Sequence, residues 1–355
     1  MTAPAQGAHQ HQARPYHELE VVRIVEETDD ARSVVLAIPD PLRHTFAYRA
    51  GQFLTFRVDV DGHHLVRCYS LASSPDTESE HKVTVKRVER GRVSNWFHDV
   101  LRVGDRLQVM KPAGHFCLTP RTAPIVMFAG GSGITPVISV MKTALATTER
   151  SITLVYANRD VRSVIFRDEL DDLALRHPGR LQIVYRHDDH EGLLGVDDAR
   201  RVAATAPDAD FYVCGPSAYM DVVERALELE SVPREHILIE RFVSPELEAL
   251  EASPPHEPGM EGARVTIFLD GQETEIVVGE GETVLEAAHR SGLDAPCACV
   301  EGYCGACMAK VEEGEIEMRC NDGGLDAEQE REGWVLTCQG EVRSKTARIA
   351  YPDPD

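Results

Sequence analysis

The sequence predicts a multidomain protein in which an antiparallel β-barrel is followed by an α/β domain with a parallel sheet and by a small α+β domain. Its 355 residues are enough for two to three domains of about 150 residues each. Short β-branched segments fill the first third of the chain, and strands alternate with helices in the second third. The last third contains a hairpin, a helix and six of the nine cysteines. These three patterns define the domains.

Composition and charge exclude several classes of protein. Hydrophobic residues make up 43% of the chain and charged residues 27%, as in ordinary globular proteins. The net charge of −22 argues against nucleic acids and anionic membrane surfaces as partners. The segment MTAPAQGAHQHQARP lacks the basic and apolar regions that are typical of a secretory signal, and the sequence has no apolar run of about 18 residues. We therefore expect a cytoplasmic protein that does not span a membrane.

The barrel is predicted over residues 17–120, after a disordered tail over residues 1–16 that is rich in Ala, Gln and His. Segments such as SVVLAIP, QFLTFRVDV and KVTVKRVE are rich in β-branched residues and are bounded by Gly, Pro or Asp. This pattern is typical of short antiparallel strands in a barrel. The stretch SNWFHDVL predicts one helix within the same domain.

The parallel sheet is predicted over residues 121–244. The apolar strands APIVMFAGG, SITLVYANR, RLQIVYRH and DFYVCGP alternate with helices such as TPVISVMKTALAT and SAYMDVVERALELE. Alternation of this kind predicts a parallel sheet with helices on both faces.

An acidic linker is predicted over residues 245–262, which hold five acidic residues and four prolines but neither Lys nor Arg. The third domain then covers residues 263–355. It begins with a hairpin, RVTIFLDG and ETEIVVG, and a helix, TVLEAAHRSG. From residue 245 onward, 8 basic residues stand against 25 acidic ones, so most of the negative charge lies in this part of the chain.

The cysteines of the third domain have the spacing of an iron–sulfur site. Cys299, Cys304 and Cys307 follow the pattern C-x4-C-x2-C, and Cys338 comes after 30 further residues, on a predicted strand WVLTCQ. This spacing is typical of plant-type [2Fe–2S] sites. Three thiolates from one loop require a tightly curled backbone, which the two glycines of the loop permit. A tetrahedral zinc site and unliganded buried cysteines are the competing interpretations.

Residues 263–352 resemble a plant-type ferredoxin domain, which implies a β-grasp fold and a [2Fe–2S] cluster. The resemblance also implies that Cys299 and Cys304 hold the outer iron, on the partner side, whereas Cys307 and Cys338 hold the inner iron.

Two thiols depart from the ferredoxin pattern. Cys297 stands where Phe or Tyr is usual, and Cys320 stands where a β-branched residue is common. Both lie outside the ligand spacing, and we expect them to be small buried residues.

A candidate flavin site lies at the end of one barrel strand. Arg67 is a cation suited to a flavin phosphate, Tyr69 an aromatic plane for the isoalloxazine or ribityl group, and Ser70 a hydroxyl for flavin N5. Alternation along a strand directs Arg67 and Tyr69 to the same face. The tetrapeptide RCYS resembles the flavin signature of the ferredoxin reductase superfamily, and an ordinary barrel strand is the alternative.

A second flavin element, GRVS, opens the predicted helix of the barrel, where backbone N–H groups and a Ser can hold a pyrophosphate. In the same superfamily this element accompanies FAD, so we expect FAD rather than FMN. The further predicted contacts of the flavin are Ser73, Lys86, Gly91, Val93 and Ser94.

The α/β domain has a glycine-rich turn, GGSGITP, between its first strand and first helix. Such a turn lets the pyrophosphate of a dinucleotide approach the backbone and the positive end of the helix. The motif resembles the NAD(P)H motif of the ferredoxin reductase superfamily, and a purely structural turn is the alternative. The predicted contacts are Gly130, Gly131, Ser132, Gly133, Thr135 and Pro136.

The nicotinamide end of the dinucleotide is predicted at the tripeptide CGP. By resemblance, Cys214 lies near nicotinamide C4, Gly215 leaves room for the ring, and Phe242 covers the flavin where nicotinamide must enter. Pro216 completes the motif and is a further predicted contact. We assign catalytic roles to Ser70, Cys214 and Phe242; core packing is the alternative for Cys214 and Phe242.

The adenine ribose is predicted near Asn158 and Arg159, which follow the second strand of the sheet. Arg159 can meet a 2′-phosphate or cap a surface loop. The neighbouring Asp160 would repel that phosphate, so we expect NADH, with NADPH as the second possibility.

The order of the three domains resembles the reductase components of multicomponent oxygenases. The segments RCYSLxSSP, VTVKR and YANRDxRSVIF are most similar to 3-ketosteroid 9α-hydroxylase reductases, and the reductase subunit of phenylacetyl-CoA epoxidase shares the layout. The resemblance implies a monomer that passes electrons from NADH through FAD and the cluster to a terminal, Rieske-type oxygenase acting on a steroid or aromatic ring. A flavin and iron–sulfur redox sensor is the remaining alternative.

Overall fold

The computed structural model describes residues 16–242 and 262–352, except positions 294, 298, 301, 303, 322 and 323. The predicted tail, except Tyr16, and the predicted linker, except Gly262, lie outside the described residues. The chain forms two compact units, one over His17–Ser244 and one that contains Pro245–Asp355. Among the helices of the described ranges, none is long and apolar enough to cross a membrane.

The first unit begins with a six-stranded antiparallel sheet. Its edge strands are joined by a bridge between Leu71 and Val83, so the sheet closes into the predicted barrel. The order in the sheet is β4–β3–β6–β1–β2–β5. The elements are β1 (His17–Thr28), β2 (Ala31–Ala37), β3 (Phe53–Val60), β4 (His63–Ser70), β5 (His81–Lys86), α1 (Arg92–Asp99) and β6 (Arg106–Val109).

Alternating burial builds the barrel core. Leu19 and Val21 of β1 are fully buried, whereas Glu18 and Glu20 point outward, as the two-residue period of a strand requires. The predicted helix α1 inserts Phe97 into the barrel, where its ring meets Phe56 edge-on at 5.6 Å. Apolar burial thus joins the helix to the sheet.

The second half of the first unit is the predicted parallel sheet, in the order β11–β10–β7–β8–β9. Its strands are β7 (Ile125–Gly130), β8 (Ile152–Asn158), β9 (Leu181–His187), β10 (Asp210–Cys214) and β11 (Ile237–Glu240). Its helices are α2 (Ile134–Thr147), α3 (Arg167–Arg176), α4 (Asp188–Glu191), α5 (Val196–Ala204) and α6 (Ser217–Leu229). Every residue of β7 and β10 is buried, because two hydrophobic clusters include residues of the sheet and of its helices. One cluster includes residues of α2 and α3, and the other includes residues of α5 and α6.

Polar contacts join the barrel to helix α2 inside this unit. Ser139 of α2 donates from its Oγ to the Ser73 carbonyl at 2.6 Å, and the Ser74 and Thr143 hydroxyls are 2.7 Å apart. All of these side chains are buried. Because a buried hydrogen bond that loses its partner costs about 1–3 kcal/mol, these contacts hold the two halves in one arrangement.

The second unit is a mixed sheet in the order β13–β12–β18–β14–β16, with a two-stranded ribbon of β15 and β17. Its elements are β12 (Ala263–Leu269), β13 (Gln272–Val278), α7 (Val284–Arg290), β14 (Met308–Glu313), β15 (Ile316–Met318), α8 (Ala327–Arg331), β16 (Trp334–Leu336), β17 (Gly340–Val342) and β18 (Thr346–Ala350). The predicted hairpin is β12–β13, and β12 also pairs in parallel with β18. Helix α7 is capped by Thr283, whose Oγ1 accepts from the Glu286 N–H at 3.2 Å.

One local prediction in this unit is wrong. The pattern of WVLTCQ predicts a strand that carries Cys338, but β16 ends at Leu336 and Cys338 lies in the following turn. The strand ends there because the chain changes its pairing partner: β16 pairs with β14, whereas β17, which begins at Gly340, pairs with β15.

Candidate functional site

The predicted flavin residues lie at the end of β4. Arg67 is partly buried, and its Nη1 donates to the Val66 carbonyl at 2.7 Å. The ring of Tyr69 packs against Phe97 with centroids 5.2 Å apart. Ser70 is buried at the last position of the strand. The strand therefore presents a cation, an aromatic ring and a hydroxyl within four residues.

The second flavin element forms a compact turn before α1. A Cβ at Gly91 would lie 2.4 Å from Ser94 Oγ and 3.0 Å from Val88 Cβ, so a larger residue here would displace the Ser94 side chain. Ser94 Oγ accepts from the Val88 N–H at 3.2 Å, and the Val93 side chain is buried in the barrel core. Val93 can therefore serve a phosphate only through its backbone N–H, which belongs to the first helical turn and has no intrahelical acceptor.

Ser73, three residues after the end of β4, is fully buried. Its hydroxyl accepts from the Tyr48 hydroxyl at 2.8 Å and from the Lys82 N–H at 3.1 Å. Both lone pairs of Ser73 Oγ are thus used within the barrel. This geometry suits a residue that supports the flavin strand.

Two glycine turns pack against each other at the carboxyl ends of the adjacent strands β7 and β10. A Cβ at Gly133 would lie 2.1 Å from the Cys214 carbonyl oxygen, and one at Gly130 would lie 2.9 Å from Pro216 Cδ. A Cβ at Gly215 would lie 3.0 Å from the Gly130 nitrogen. Side chains would push the turns apart. The carboxyl edge of a parallel sheet is where α/β folds bind their ligands, so the turns form a cradle for a dinucleotide.

A lysine from the barrel stands at this cradle. Gly131 has a φ of 51°, and the Lys86 ammonium lies 3.5 Å from the place that a Cβ there would take. Burial lowers the pKa of Lys86, and the Asp30 carboxylate, 3.9 Å away, opposes that shift. The predicted flavin contact Lys86 is thus placed beside the glycine turn of the α/β fold.

Three side chains from distant parts of the first unit meet near the end of β10. Cys214 is fully buried, and its β-sheet neighbour in β11 is Glu240. Burial, and the charge of Glu240, raise the pKa of Cys214, so its thiol is neutral. Ser70 Oγ faces the Glu240 carboxylate at 3.4 Å, a long hydrogen bond. Phe242, two residues further on, is 42% exposed, which disfavours the core-packing alternative.

Glu240 is a candidate site residue that the sequence patterns did not predict. The available signal was its place at the end of the last strand, two residues before the aromatic residue of the predicted site. Its carboxylate is buried and touches the predicted catalytic Ser70.

The side chain of Asn158 fits a ligand-filled site. It is buried at the end of β8, and neither its oxygen nor its nitrogen has a hydrogen-bond partner of normal geometry among the described residues. The same holds for the Tyr219 hydroxyl, whose ring lines the glycine cradle at Gly130. Because such buried groups cost about 1–3 kcal/mol when unsatisfied, the residues present fit a bound dinucleotide.

The carboxylate that faces Arg159 belongs to Asp30 and not to Asp160, the acidic neighbour considered in the sequence. Arg159 Nη2 donates to Asp30 Oδ2 at 2.6 Å. Asp160 instead caps the short helical turn that follows it, accepting from the Arg162 and Ser163 N–H groups at 2.8 and 3.0 Å. The residue that opposes an anionic ligand at Arg159 is therefore Asp30, from the turn between β1 and β2.

The four predicted ligand cysteines are all buried in the second unit. A hydrogen bond with Cys307 and then burial raise the pKa of Cys338, with a further contribution from Cys299, so these thiols are close together. The Ala306 N–H donates to Cys304 Sγ at 3.4 Å. A backbone N–H directed at sulfur is what the predicted loop requires.

The donor set fits a binuclear cluster. A [2Fe–2S] cluster shares four thiolates between two irons, and Cys307 with Cys338 makes one pair. The loop curls through positive φ angles of 87° at Gly302 and 71° at Gly305, as predicted from the two glycines.

The two additional thiols have different surroundings. Cys297 is buried in the hydrophobic core of the second unit, as predicted. For Cys320 the prediction of a buried residue is wrong: it is only partly buried, because its Sγ lies in a polar contact and donates to Gln339 Oε1 at 3.3 Å.

Three family models match the chain in succession. The oxidoreductase FAD-binding domain matches residues 18–117, the oxidoreductase NAD-binding domain residues 127–225, and the 2Fe-2S iron-sulfur cluster binding domain residues 267–343. The chain therefore has domains for FAD, a nicotinamide dinucleotide and a [2Fe–2S] cluster, as predicted.

Similar proteins cover nearly the whole chain. The ferredoxin reductase component of 3-ketosteroid-9-alpha-monooxygenase from Rhodococcus rhodochrous is 41% identical over 338 residues, 94% of this chain and 96% of that protein. A component of 1,2-phenylacetyl-CoA epoxidase from Escherichia coli (strain K12) is 35% identical over 91% of this chain and 94% of that protein. The fold is also that of phthalate dioxygenase reductase, with a TM-score of 0.59 at 24% identity over 95% of this chain and 98% of that chain. The chain belongs to the family of electron-transferring oxygenase reductases that combine FAD-binding, NAD-binding and [2Fe–2S] domains.

Proposed function

We propose that this chain is the reductase component of a steroid monooxygenase and passes electrons from NADH through FAD and a [2Fe–2S] cluster to a Rieske-type terminal oxygenase. The observation that carries the proposal is the 41% identity to the 3-ketosteroid-9-alpha-monooxygenase component over 94% of the chain. Two sequences of the same description from Mycobacterium tuberculosis strains are 39% identical over 95% of the chain.

In this proposal the first unit binds the flavin and the dinucleotide and brings them together. Bound FAD would supply the chemistry that turns a two-electron hydride into single electrons. Arg67 would neutralise the flavin phosphate, and Ser70 would offer its hydroxyl at the reacting edge of the ring. The neutral Cys214 thiol and the glycine turns would admit the nicotinamide, and the exposed Phe242 would cover the ring until nicotinamide displaces it.

The second unit would take the electrons one at a time. Cys299 and Cys304 would hold one iron and Cys307 and Cys338 the other. The excess of acidic over basic residues, 25 against 8 from residue 245 onward, suits encounter with a basic surface on the oxygenase.

NADH is the proposed electron donor in preference to NADPH. The Arg159 guanidinium, the cation best placed for a 2′-phosphate, is already paired with Asp30 at 2.6 Å. An added phosphate would have to displace or repel that carboxylate, whereas a ribose hydroxyl would not.

We also propose that the protein works as a monomer in the cytoplasm. Cys68, Cys117 and Cys214 of the first unit carry thiols without disulfide bonds, which suits a reducing compartment. One chain contains all three cofactor domains, so the path from NADH to the cluster needs no second copy.

The test is reconstitution with purified components. The protein should contain two irons, two acid-labile sulfides and one FAD, and should support NADH-driven steroid hydroxylation by the oxygenase of a 3-ketosteroid 9α-monooxygenase. Turnover only with the remaining components of phenylacetyl-CoA epoxidase would favour the second candidate, which the 35% identity to one component of that enzyme supports. Slow electron transfer to every acceptor, including cytochrome c, would favour a redox sensor.

A further inference from the structure

The side chain of Gln339 connects a proposed cluster ligand to a thiol outside the ligand set. Its Nε2 donates to the Val300 carbonyl at 2.9 Å and to Cys338 Sγ at 3.6 Å, within the range of N–H···S hydrogen bonds. Its Oε1 accepts from Cys320 Sγ at 3.3 Å. One amide thus bridges the cluster loop, a ligand sulfur and an additional thiol.

The orientation of this amide follows from its partners. The Val300 carbonyl can only accept, so the NH₂ group of Gln339 must face it and, beside it, Cys338. The amide oxygen then points to Cys320, whose S–H is a donor. If Cys320 offered no hydrogen atom, Gln339 Oε1 would lose this contact and the orientation would be less firmly set.

Packing restrains the same three residues. A Cβ at Gly302 would lie 3.2 Å from Cys320 Sγ and 3.2 Å from Gln339 Cγ, so both side chains lie against the loop backbone. Gly302 has a φ of 87° and Val300 a φ of 58°, so the loop holds an uncommon conformation just where Gln339 anchors it. The Gln339 amide is therefore fixed between the loop and Cys320.

We propose that Gln339 donates a hydrogen bond to the Cys338 sulfur of the loaded cluster and thereby raises its reduction potential, and that Cys320 is a positioning residue that keeps the amide in the donating orientation. The physical reason is that an N–H donor withdraws charge from a thiolate ligand and so favours the more negative, reduced cluster. The inference rests on the proposed ligand role of Cys338.

The first test replaces Gln339 with methionine (Q339M), which has a similar length and no N–H donor. In the full-length holoprotein, a redox titration followed by electron paramagnetic resonance should show a more negative midpoint potential. We expect the equilibrium constant for one-electron reduction to fall about tenfold, which corresponds to 59 mV. An unchanged potential in Q339M with full iron content would overturn the role of Gln339.

The second test separates positioning from simple packing at Cys320. Serine keeps a donor for Gln339 Oε1, so C320S should retain the wild-type potential, whereas C320A should shift it in the same direction as Q339M and by less. Equal potentials in C320A and C320S would overturn the positioning role. If Q339M assembles no cluster, the C320A and C320S pair decides the whole proposal.

The proposed cluster and the proposed role of Gln339 can be contradicted separately. Wild-type protein with zinc and no acid-labile sulfide would contradict the proposed cluster itself. Wild-type protein with two irons and a normal spectrum, but variants without any change in potential, would contradict only the role of Gln339 and Cys320.

Discussion

The candidate cofactor sites of the two units are assembled differently from the sequence. In His17–Ser244 the site is assembled from residues far apart in sequence, such as Ser70, Cys214 and Glu240, and much of it is backbone geometry at glycine turns. In the second unit three of the four proposed ligands come from one nine-residue loop, Cys299 to Cys307.

This difference shows where each site is sensitive. A site made from one loop depends on the ligand side chains themselves. A site made from several elements depends on the contacts that hold those elements together, here the buried hydrogen bonds between the barrel and α2 and the close packing of two turns. Changes in either unit should therefore affect one cofactor and spare the other.

The largest expected effect is loss of the cluster in Cys304→Ser. Serine removes one of four thiolates, so iron and acid-labile sulfide should fall to background, as measured by chemical analysis and the visible spectrum. NADH–ferricyanide activity, which takes electrons from the flavin, should stay near the wild-type value.

The matched control for this variant is Cys297→Ser, a thiol in the same domain but outside the ligand spacing; it should retain the cluster. If flavin reduction were lost in Cys304→Ser as well, the two cofactor sites would depend on each other, and the expected independence of the two units would be wrong.

The next effect is on flavin binding in Arg67→Ala. A charge-assisted hydrogen bond to a phosphate is worth about 1.5–3 kcal/mol, so FAD affinity should fall roughly 10- to 150-fold. Fluorescence of released FAD on dilution measures this loss. Arg106→Ala, an exposed barrel arginine paired with Glu18, is the control and should bind FAD normally. Unchanged affinity in Arg67→Ala would give the phosphate role to Lys86 or Arg87.

Gly133→Ala should lower kcat/KM for NADH and leave the iron and sulfide content of the cluster unchanged. The added methyl would lie 2.1 Å from the Cys214 carbonyl and force the two glycine turns apart. Overpacking of about 1–3 kcal/mol predicts a fall of roughly 5- to 150-fold in kcat/KM for NADH. Gly195→Ala, where a Cβ has no neighbour closer than 3.7 Å, should behave like wild type. Equal kinetics of both variants would show that the turns do not form the dinucleotide cradle.

A smaller effect is expected in Asp30→Asn, which leaves the Arg159 guanidinium without its carboxylate partner. Surface ion pairs contribute up to about 1 kcal/mol, so the ratio of kcat/KM for NADPH to that for NADH should rise by up to about fivefold. Asp99→Asn, which breaks the exposed pair with Arg87, is the control. A ratio that stays constant in Asp30→Asn would remove Asp30 from dinucleotide choice.

The smallest expected effects concern docking to the oxygenase. Salt shortens the Debye length from about 10 Å at 0.1 M to about 3 Å at 1 M, so oxygenase turnover should fall with NaCl while NADH–ferricyanide activity stays nearly constant. Glu301→Gln, at a loop position outside the described residues, should slow turnover only about two- to fivefold at low salt. Parallel salt profiles for the two activities would mean that the acidic surface serves solubility alone.

Much of the second site could be predicted from sequence because its information is local. The spacing of Cys299, Cys304 and Cys307 and the glycines between them indicate a curled thiolate loop without reference to any tertiary contact. The glycine turn of β7 was predictable for the same reason, since strand, turn and helix are contiguous there. The strand placed around Cys338 was wrong because pairing with a distant strand, and not β-propensity, decided where the chain turns.

By itself, the sequence determined the three domain types, their order, the four ligand cysteines proposed for the cluster and the acidic character of the last third of the chain. Each of these depends on residues close together in sequence or on composition. Only the tertiary structure decided that Glu240 meets Ser70, that Asp30 holds Arg159, and that Gln339 links Cys320 to Cys338. The first two contacts join residues more than 100 positions apart, and all three depend on side-chain packing that no local pattern encodes.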